Sequence, residues 1–206
     1  MRVIVLYDSI TGNTELLGKT IASLFSSQDI VYCGQIRDCN INELPKVDIY
    51  FIGSWTNRGD LVLGIQKFLQ SIHHKKIVLF GTCGFGGSSE YFETLKNRFK
   101  HWVPEDNEYL GCFLCQGKMP LSVKERYIKM IQDHPDDKKL KVSLKNFEEA
   151  LTHPDNQDLQ QLKEFVRGIW RRIIMTEKNR KLYDMIKEKQ LWELQLTENK
   201  AINSEN

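Results

Sequence analysis

The chain has 206 residues, of which 41% are hydrophobic and 27% are charged, so it has the size and composition of one globular domain with an appendage. Its formal net charge of +2 is too small to indicate binding to nucleic acid or to a membrane surface. No apolar run approaches the roughly 18–20 residues of a membrane span, and the first is too short and too β-branched for a signal peptide. We therefore expect a cytoplasmic protein whose five cysteines are free thiols.

Short apolar runs alternate with helical patterns along the chain, which predicts βαβ units and a parallel sheet. The predicted strands cover residues 2–7, 30–35, 47–53, 76–82 and 109–115, and the predicted helices cover residues 13–25, 61–72, 88–101 and 157–174. The third and fourth strands are nearly continuous apolar segments, as expected for strands that helices cover on both faces. The predicted fold is therefore α/β, a doubly wound five-stranded parallel sheet of order 2-1-3-4-5.

A cluster of small polar residues follows the first predicted strand. The apolar run from Val3 to Tyr7 ends and a helix begins after a loop formed by Ser9, Ile10, Thr11, Gly12, Asn13 and Thr14. Main-chain N–H groups converge at a helix start, the helix dipole adds about half a positive charge, and hydroxyls supply further donors. An N-cap needs one hydroxyl, so three hydroxyls and a glycine favour a phosphate site over a simple cap.

The same loop resembles the FMN phosphate loop of the flavodoxin family, Ser/Thr-x-Thr-Gly-x-Thr. Its fixed positions are occupied by Ser9, Thr11, Gly12 and Thr14. The resemblance covers about residues 1–116 and resumes near residues 154–174. It implies a flavodoxin-like fold with FMN as the cofactor, its phosphate held by the loop main chain and by the side chains of Thr11, Asn13 and Thr14. It also implies a redox function, in which electrons pass to a partner protein or to a small-molecule acceptor.

Four other segments resemble one branch of that family. They are Gly53–Gly59, Gly81–Gly84, Phe113–Lys118 and His153–Asp155. The branch includes flavodoxin-like proteins associated with bilirubin reduction in gut bacteria, and within it the Gln116–Lys118 segment and the connection that follows would be shared features. The net charge of +2 departs from the strongly acidic character of many flavodoxins.

Two further loops are expected to meet the first at one edge of the sheet. Right-handed crossovers bring the carboxyl ends of strands 1, 3 and 4 to that edge. By resemblance, these loops would hold the flavin ring through Ser54, Trp55, Thr56, Asn57 and Gly59 in the second loop and Thr82, Cys83, Gly84, Phe85 and Gly86 in the third. Main-chain donors of the third loop would face the pyrimidine edge of the ring, and Phe85 would form a second wall.

The second loop leaves two side chains with open roles. Aligned on Gly53, the stacking aromatic residue of the family falls near Asn57, so Trp55 either stacks on the ring from an altered loop or only walls the site. Arg58 either lies near the ring, where it would favour the anionic reduced flavin and raise the potential, or points into solvent. Gly59 would allow the main-chain flip that hydrogen-bonds the reduced ring.

The cysteines and histidines carry no strong catalytic or metal-binding signal. Cys83 lies at a strand end, as in Gly-x-Cys-x-Gly nucleophile enzymes, but Phe85 replaces the second glycine and no His and acid pair is clearly placed. Cys112 and Cys115 are predicted to be buried thiols on opposite faces of a strand. The segments His134–Asp136 and His153–Asp155 are predicted to form turns. We therefore nominate no catalytic residue and no metal ligand.

The remainder of the chain exceeds the minimal fold. We assign residues 1–175 to the flavodoxin-like domain, in which residues 117–156 form an extended connection with a helix at Val123–Gln132 and the hydrophilic run His134–Lys141. Residues 176–206 are predicted to form an amphipathic helical tail that ends in disorder over Asn199–Asn206.

One face of this tail suggests an alternative function. It comprises Leu182, Met185, Ile186, Lys189, Trp192 and Leu196. On this alternative the chain is a flavodoxin-fold interaction protein with a vestigial flavin pocket, and the tail docks a partner or forms a homodimer.

Overall fold

The computed structural model of the protein describes residues 1–40 and 43–204, with side chains described as far as residue 188. Five parallel strands form one sheet: β1 (Val3–Tyr7), β2 (Ile30–Gln35), β3 (Ile49–Trp55), β4 (Lys76–Cys83) and β5 (Glu108–Gln116). Their order in the sheet is β2-β1-β3-β4-β5, which confirms the predicted topology.

Helices cover both faces of this sheet, and the described part of the chain contains six α-helices. They are α1 (Asn13–Ala22), α2 (Leu63–Gln70), α3 (Ser89–His101), α4 (Leu121–Asp133), α5 (Lys138–Ala150) and α6 (Asn156–Ser204), and a 3₁₀ turn covers Ile36–Asp38. Every residue of β1 is buried, because helices cover the central strands on both faces. The predicted strand bounds agree with the observed ones to within two residues.

Helix α5 lies within residues 117–156, the region that was predicted to be an extended connection. The helix begins inside the hydrophilic run His134–Lys141, after Asp137, whose carboxylate accepts hydrogen bonds from the N–H groups of Lys139 (2.8 Å) and Leu140 (3.4 Å) and so caps the helix. The buried side chains Leu140 and Phe147 lie on one face of it. Their spacing of seven residues corresponds to two helical turns. The many lysines and glutamates around them make this pattern hard to recognise in the sequence.

The chain divides into two compact units, Met1–Phe165 and Val166–Asn206. The sheet and the helices as far as the first part of α6 form the first unit. The second unit is the rest of α6, and its exposed apolar side chains include Met175, Leu182, Tyr183, Met185 and Ile186. Lys189, Trp192 and Leu196 lie outside the described side chains.

The end of the tail differs from the prediction. Disorder was predicted over Asn199–Asn206, whereas α6 continues to Ser204, and Glu205 and Asn206 lie outside the described residues. Extending an existing helix adds one hydrogen bond for each residue fixed, and Ala201 is a strong helix former. Within the part of the chain that the structure describes, no helix combines the length and apolar character needed to cross a bilayer.

A buried asparagine joins α5 to the edge of the sheet. Asn146 is 7% exposed, and its Nδ2 donates to the Gly84 carbonyl at 2.8 Å. Its Oδ1 accepts from the N–H of Gly86 and from Nε2 of Gln116, each at 3.2 Å. Gln116 Nε2 also donates to the Gly84 carbonyl at 3.2 Å. The amide of Asn146 therefore holds the loop after β4 and the end of β5 against α5.

We predict that Asn146→Leu lowers the free energy of unfolding by roughly 2–4 kcal/mol, because it leaves buried donors and acceptors unpaired. Urea denaturation monitored by circular dichroism measures the change. The control is Lys145→Leu on the same helix, whose side chain is 79% exposed and which should change stability by less than about 0.5 kcal/mol. Equal stability of the two variants would contradict the role of Asn146.

Candidate functional site

The strand register brings three loops together at the carboxyl edge of the sheet. Tyr7 of β1 pairs with Gly53 of β3, and Trp55 of β3 pairs with Thr82 of β4. The segments that follow these strands therefore emerge side by side at the point where the strand order reverses, which is where open parallel sheets bind ligands.

The first loop presents main-chain donors at the start of α1. Its beginning is fixed by Gln35 of β2, whose Oε1 accepts from the Ser9 N–H at 3.0 Å and whose Nε2 donates to the Ser9 carbonyl at 3.1 Å. The Leu16 N–H donates to the Gly12 carbonyl at 2.9 Å. Among the described residues, the main-chain N–H groups of residues 10–15 have no acceptor. This arrangement suits an anion.

The second loop is a two-residue hairpin turn. Asn57 and Asp60 exchange main-chain hydrogen bonds of 2.8 and 3.1 Å, while Arg58 and Gly59 have φ angles of 51° and 83°. Positive φ at both central positions defines a type I′ turn and favours glycine at the second. Arg98 Nη1 donates to the Gly59 carbonyl at 3.2 Å, so α3 holds the turn in place.

Trp55 lies at the end of β3 beside this turn. Its Nε1 donates to Oδ1 of Asp8 at 2.7 Å, which fixes the indole ring against the segment after β1. The ring lines the cavity described below. Asp8 was not singled out in the sequence, because a contact across 47 residues leaves no local signal.

The third loop is bonded to the first. Thr82 Oγ1 and Thr14 Oγ1 lie 3.2 Å apart and share a hydrogen bond. Cys83 is buried, its Sγ donates to the Phe85 carbonyl at 3.1 Å, and burial raises the pKa of its thiol to about 12. A neutral thiol at neutral pH does not support the nucleophile interpretation. All five cysteines are free, and burial also raises the pKa of Cys112 and Cys115.

The three loops line one cavity of about 640 Å³. The predicted residues that line it are Ile10, Thr11, Asn13, Trp55, Thr56, Asn57, Gly59, Thr82, Cys83, Gly84 and Phe85. Arg58, an exposed residue, also lines it.

Five predicted residues do not line the cavity: Ser9, Gly12, Thr14, Ser54 and Gly86. Thr14 is fully buried behind Thr82. Ser54 serves the fold, since its Oγ donates to the Trp55 carbonyl at 2.8 Å and accepts from the Val62 N–H at 3.1 Å. Gly86 is bonded to α5, as described above.

The second wall of the cavity comes from the segment after β5, which the sequence did not nominate. We call its six lining residues the α4 wall: Lys118, Met119, Pro120, Val123, Arg126 and Tyr127. Tyr91 of α3 and Gly117 also line the cavity. The only sequence feature that pointed to this wall is the Gln116–Lys118 segment, which resembles a shared segment of one family branch.

A close approach attaches the α4 wall to the first loop. Asn13 is 5% exposed and its Nδ2 donates to the Lys118 carbonyl at 2.8 Å. Gly117 allows this contact, because a Cβ at that position would lie 2.7 Å from Asn13 Nδ2. The Lys118 N–H donates to the His153 carbonyl at 3.1 Å. One donor of the Asn13 amide group therefore holds this wall, and Asn13 also lines the cavity.

The cavity is electropositive. Arg58, Lys118 and Arg126 line it, and none of its lining residues, all of which the structure describes, is an aspartate or glutamate. Among the side chains described as far as residue 188, none of these three cations has a carboxylate within ion-pair distance. Unpaired cations on a recess attract anions.

His153, Asp155 and Asp158 form a group that does not line the cavity, although the His153 carbonyl accepts a hydrogen bond from the lining residue Lys118. Their side-chain ligand atoms lie within 4.8 Å of one another. Asp158 Oδ2 accepts from the Asp155 N–H, and Asp155 Oδ1 accepts from the Asp158 N–H, each at 2.9 Å. This reciprocal pair is a capping box at the start of α6, and His153 Nδ1 lies 2.6 Å from Asp158 Oδ2. The group therefore has a structural role.

The residues of the cavity fit FMN. The free N–H groups at the start of α1 suit a phosphate, and Trp55, Phe85 and Tyr91 offer aromatic surface to a flat ring. Two buried hydroxyls, Ser9 Oγ in the first loop and Thr56 Oγ1 in the second, have no hydrogen-bond partner in the protein. Buried polar groups are nearly always paired, so both indicate a ligand that completes the loops.

Comparison with known proteins agrees with this geometry. The flavodoxin domain family matches residues 4–167. A flavodoxin-like domain-containing protein, BilS, from Clostridioides difficile (strain CD3) is 34% identical over 170 residues, which are 82% of this chain and 96% of the relative. BilS from Clostridium symbiosum (strain WAL-14163) is 29% identical over 179 residues, 81% of this chain and 94% of the relative.

Solved structures show the same fold. A flavodoxin of Streptococcus pneumonia TIGR4 has a TM-score of 0.53 at 12% identity, covering 84% of this chain and 99% of its own. A short-chain flavodoxin associated with a bacterial microcompartment has a TM-score of 0.50 at 15% identity, covering 83% and 98%. The family match supports FMN as the cofactor of the cavity. By sequence and by architecture, the chain belongs to the flavodoxin domain family.

Proposed function

We propose that the protein is an FMN-dependent redox protein that accepts electrons on the bound flavin and passes them to an acceptor. The observation that carries this proposal is the unpartnered buried hydroxyl of Thr56, a residue that lines the cavity, and a second such hydroxyl, Ser9 Oγ, lies in the first loop although Ser9 does not itself line the cavity. A protein that bound nothing there would gain stability by losing them.

The cofactor would supply the electron transfer, and this chain would supply binding and electrostatics. The main chain of Ser9–Thr14 would hold the phosphate together with the hydroxyls of Ser9 and Thr11. Lys118 would add a charge beside it, because its main chain is bonded to Asn13 at the start of α1. Trp55 and the third loop would flank the ring, and Arg58 would lie near it.

The proposal predicts that the purified protein retains FMN. After addition of FMN and removal of the excess by gel filtration, the protein fraction should show the visible absorption bands of the flavin. A colourless protein that takes up no FMN would contradict the proposal. It would favour the alternative of an interaction protein with a vestigial pocket.

Ser9→Ala tests the phosphate loop. Because Ser9 Oγ has no partner in the protein, the free energy of unfolding of the flavin-free variant should stay equal or rise. The dissociation constant for FMN should rise about tenfold, since a hydrogen bond to a charged group contributes roughly 1.5–3 kcal/mol. Fluorescence titration with FMN and with riboflavin measures this, and riboflavin binding should not change.

The control for this experiment is Ser23→Ala, whose hydroxyl is exposed and donates to the Thr20 carbonyl at 2.7 Å, away from the cavity. It should bind FMN as the unmodified protein does. Equal losses of FMN and riboflavin affinity in Ser9→Ala would show that Ser9 does not contact the phosphate.

Arg58→Gln tests the electrostatics of the ring site. Removing a cation that lines the cavity disfavours the anionic reduced flavin, so the two-electron midpoint potential should fall by roughly 20–40 mV, or about 1–2 kcal/mol. Anaerobic titration against reference dyes measures it. Lys67→Gln, an exposed charge on α2 outside the cavity, is the control, and an equal shift in both variants would contradict a local effect.

A further inference from the structure

Helix α4 is placed to line the cavity rather than to build the core. None of its residues is buried, although it carries Val123 and Tyr127, which are only half-buried. Both line the cavity, as does Arg126. The helix is attached through α5, since Lys124 pairs with Glu148 at 3.3 Å and α5 is held by Asn146. An amphipathic helix normally buries its apolar stripe, so this one presents apolar and cationic groups to a ligand.

The α4 wall carries two cations, Lys118 and Arg126, and only Lys118 lies at the proposed phosphate position. Main-chain donors of the first loop and Lys118 lie at the proposed phosphate position. Arg126 lies eight residues further along the chain, in α4, is exposed, and has no carboxylate partner among the described side chains. Its guanidinium lies 5.7 Å from the centre of the Tyr127 ring. A guanidinium beside an aromatic face suits a flat organic anion.

We propose that the α4 wall binds a small, flat organic anion beside the flavin, and that this anion is the electron acceptor. The inference rests on the proposed function and adds the substrate class. The anionic reduced cofactor would give up two electrons and one proton to the conjugated system of the acceptor, and solvent would supply the second proton, so the cofactor would return to its oxidised form and the acceptor would gain two hydrogen atoms. The cations line a recess between α4 and the loops, which favours a small molecule over an acidic protein surface.

A matched pair of acceptors tests the proposal: 2-hydroxy-1,4-naphthoquinone, which is an anion at pH 7, and its neutral methyl ether, 2-methoxy-1,4-naphthoquinone. The FMN-loaded protein is reduced anaerobically with one equivalent of dithionite and mixed with each quinone in a stopped-flow instrument. Flavin absorbance gives the second-order rate constant for reoxidation. The variant is Arg126→Gln, and the control is Lys129→Gln, which removes an exposed charge of the same helix that does not line the cavity.

For the anionic quinone, Arg126→Gln should lower the rate constant about tenfold, since a charge-assisted hydrogen bond is lost. For the neutral ether, the rate constant should not change, and Lys129→Gln should change neither. An undiminished rate with the anionic quinone would overturn the proposal. Equal losses with both quinones would also overturn it, because Arg126 would then act on the flavin or the fold.

The experiment distinguishes disproof of the proposed function from disproof of this inference. Flavin retention is recorded for every variant before a quinone is added. A protein that retains no FMN overturns both proposals, whereas an FMN-loaded protein that reduces both quinones without regard to charge overturns the acceptor class alone. An FMN-loaded protein that reduces neither quinone also overturns the inference.

Discussion

The hydrogen bond from Asn13 Nδ2 to the Lys118 carbonyl, 2.8 Å long, joins the two walls of the cavity. It links the first turn of α1 to a residue 105 positions later, and both partners depend on neighbours that permit the contact. Asn13 is buried, and Gly117 has no side chain to hold the segments apart. A second link, from Asn146 to Gly84 and Gly86, fixes the third loop to α5. The cavity owes its shape to these two asparagines, which fasten the segment after β5 to the edge of the sheet.

The fold was largely predictable from local patterns, and the site was predictable only in part. Continuous apolar runs identify buried parallel strands, and the alternation of strands and helices restricts the topology, so the order of the sheet followed from the sequence. The meeting of the three loops at one edge was predictable too, because each loop directly follows a strand whose place in the sheet was predicted. The α4 wall was not, because its position depends on the contacts of Lys118 and Asn146 with distant residues. Helix α5 was missed because charged residues surround the apolar positions Leu140 and Phe147.

The net charge of +2 conceals the electrostatics of the cavity. Acidic and basic residues nearly cancel over the chain, yet Arg58, Lys118 and Arg126 line one recess that contains no carboxylate. Composition reports the sum of the charges, whereas the field at a cofactor depends on the few that lie within about 10 Å, the screening length at 0.1 M salt. A flavin in this recess would have three cations beside it and the Asp8 carboxylate behind Trp55, so the balance of nearby charge would favour reduction, which adds negative charge to the ring.

Arg58, Lys118 and Arg126 contribute little to the stability of the fold, although they determine the charge of the cavity. Exposed charges without partners contribute little to folding, and α4 buries none of its residues in the core. The positions of Arg126 and Tyr127 are therefore not explained by packing. Asn146 is different, since its buried amide satisfies donors and acceptors of the third loop and of β5. Asn146 thus contributes to stability, whereas the groups that would distinguish one acceptor from another lie on α4, a helix with no buried residue.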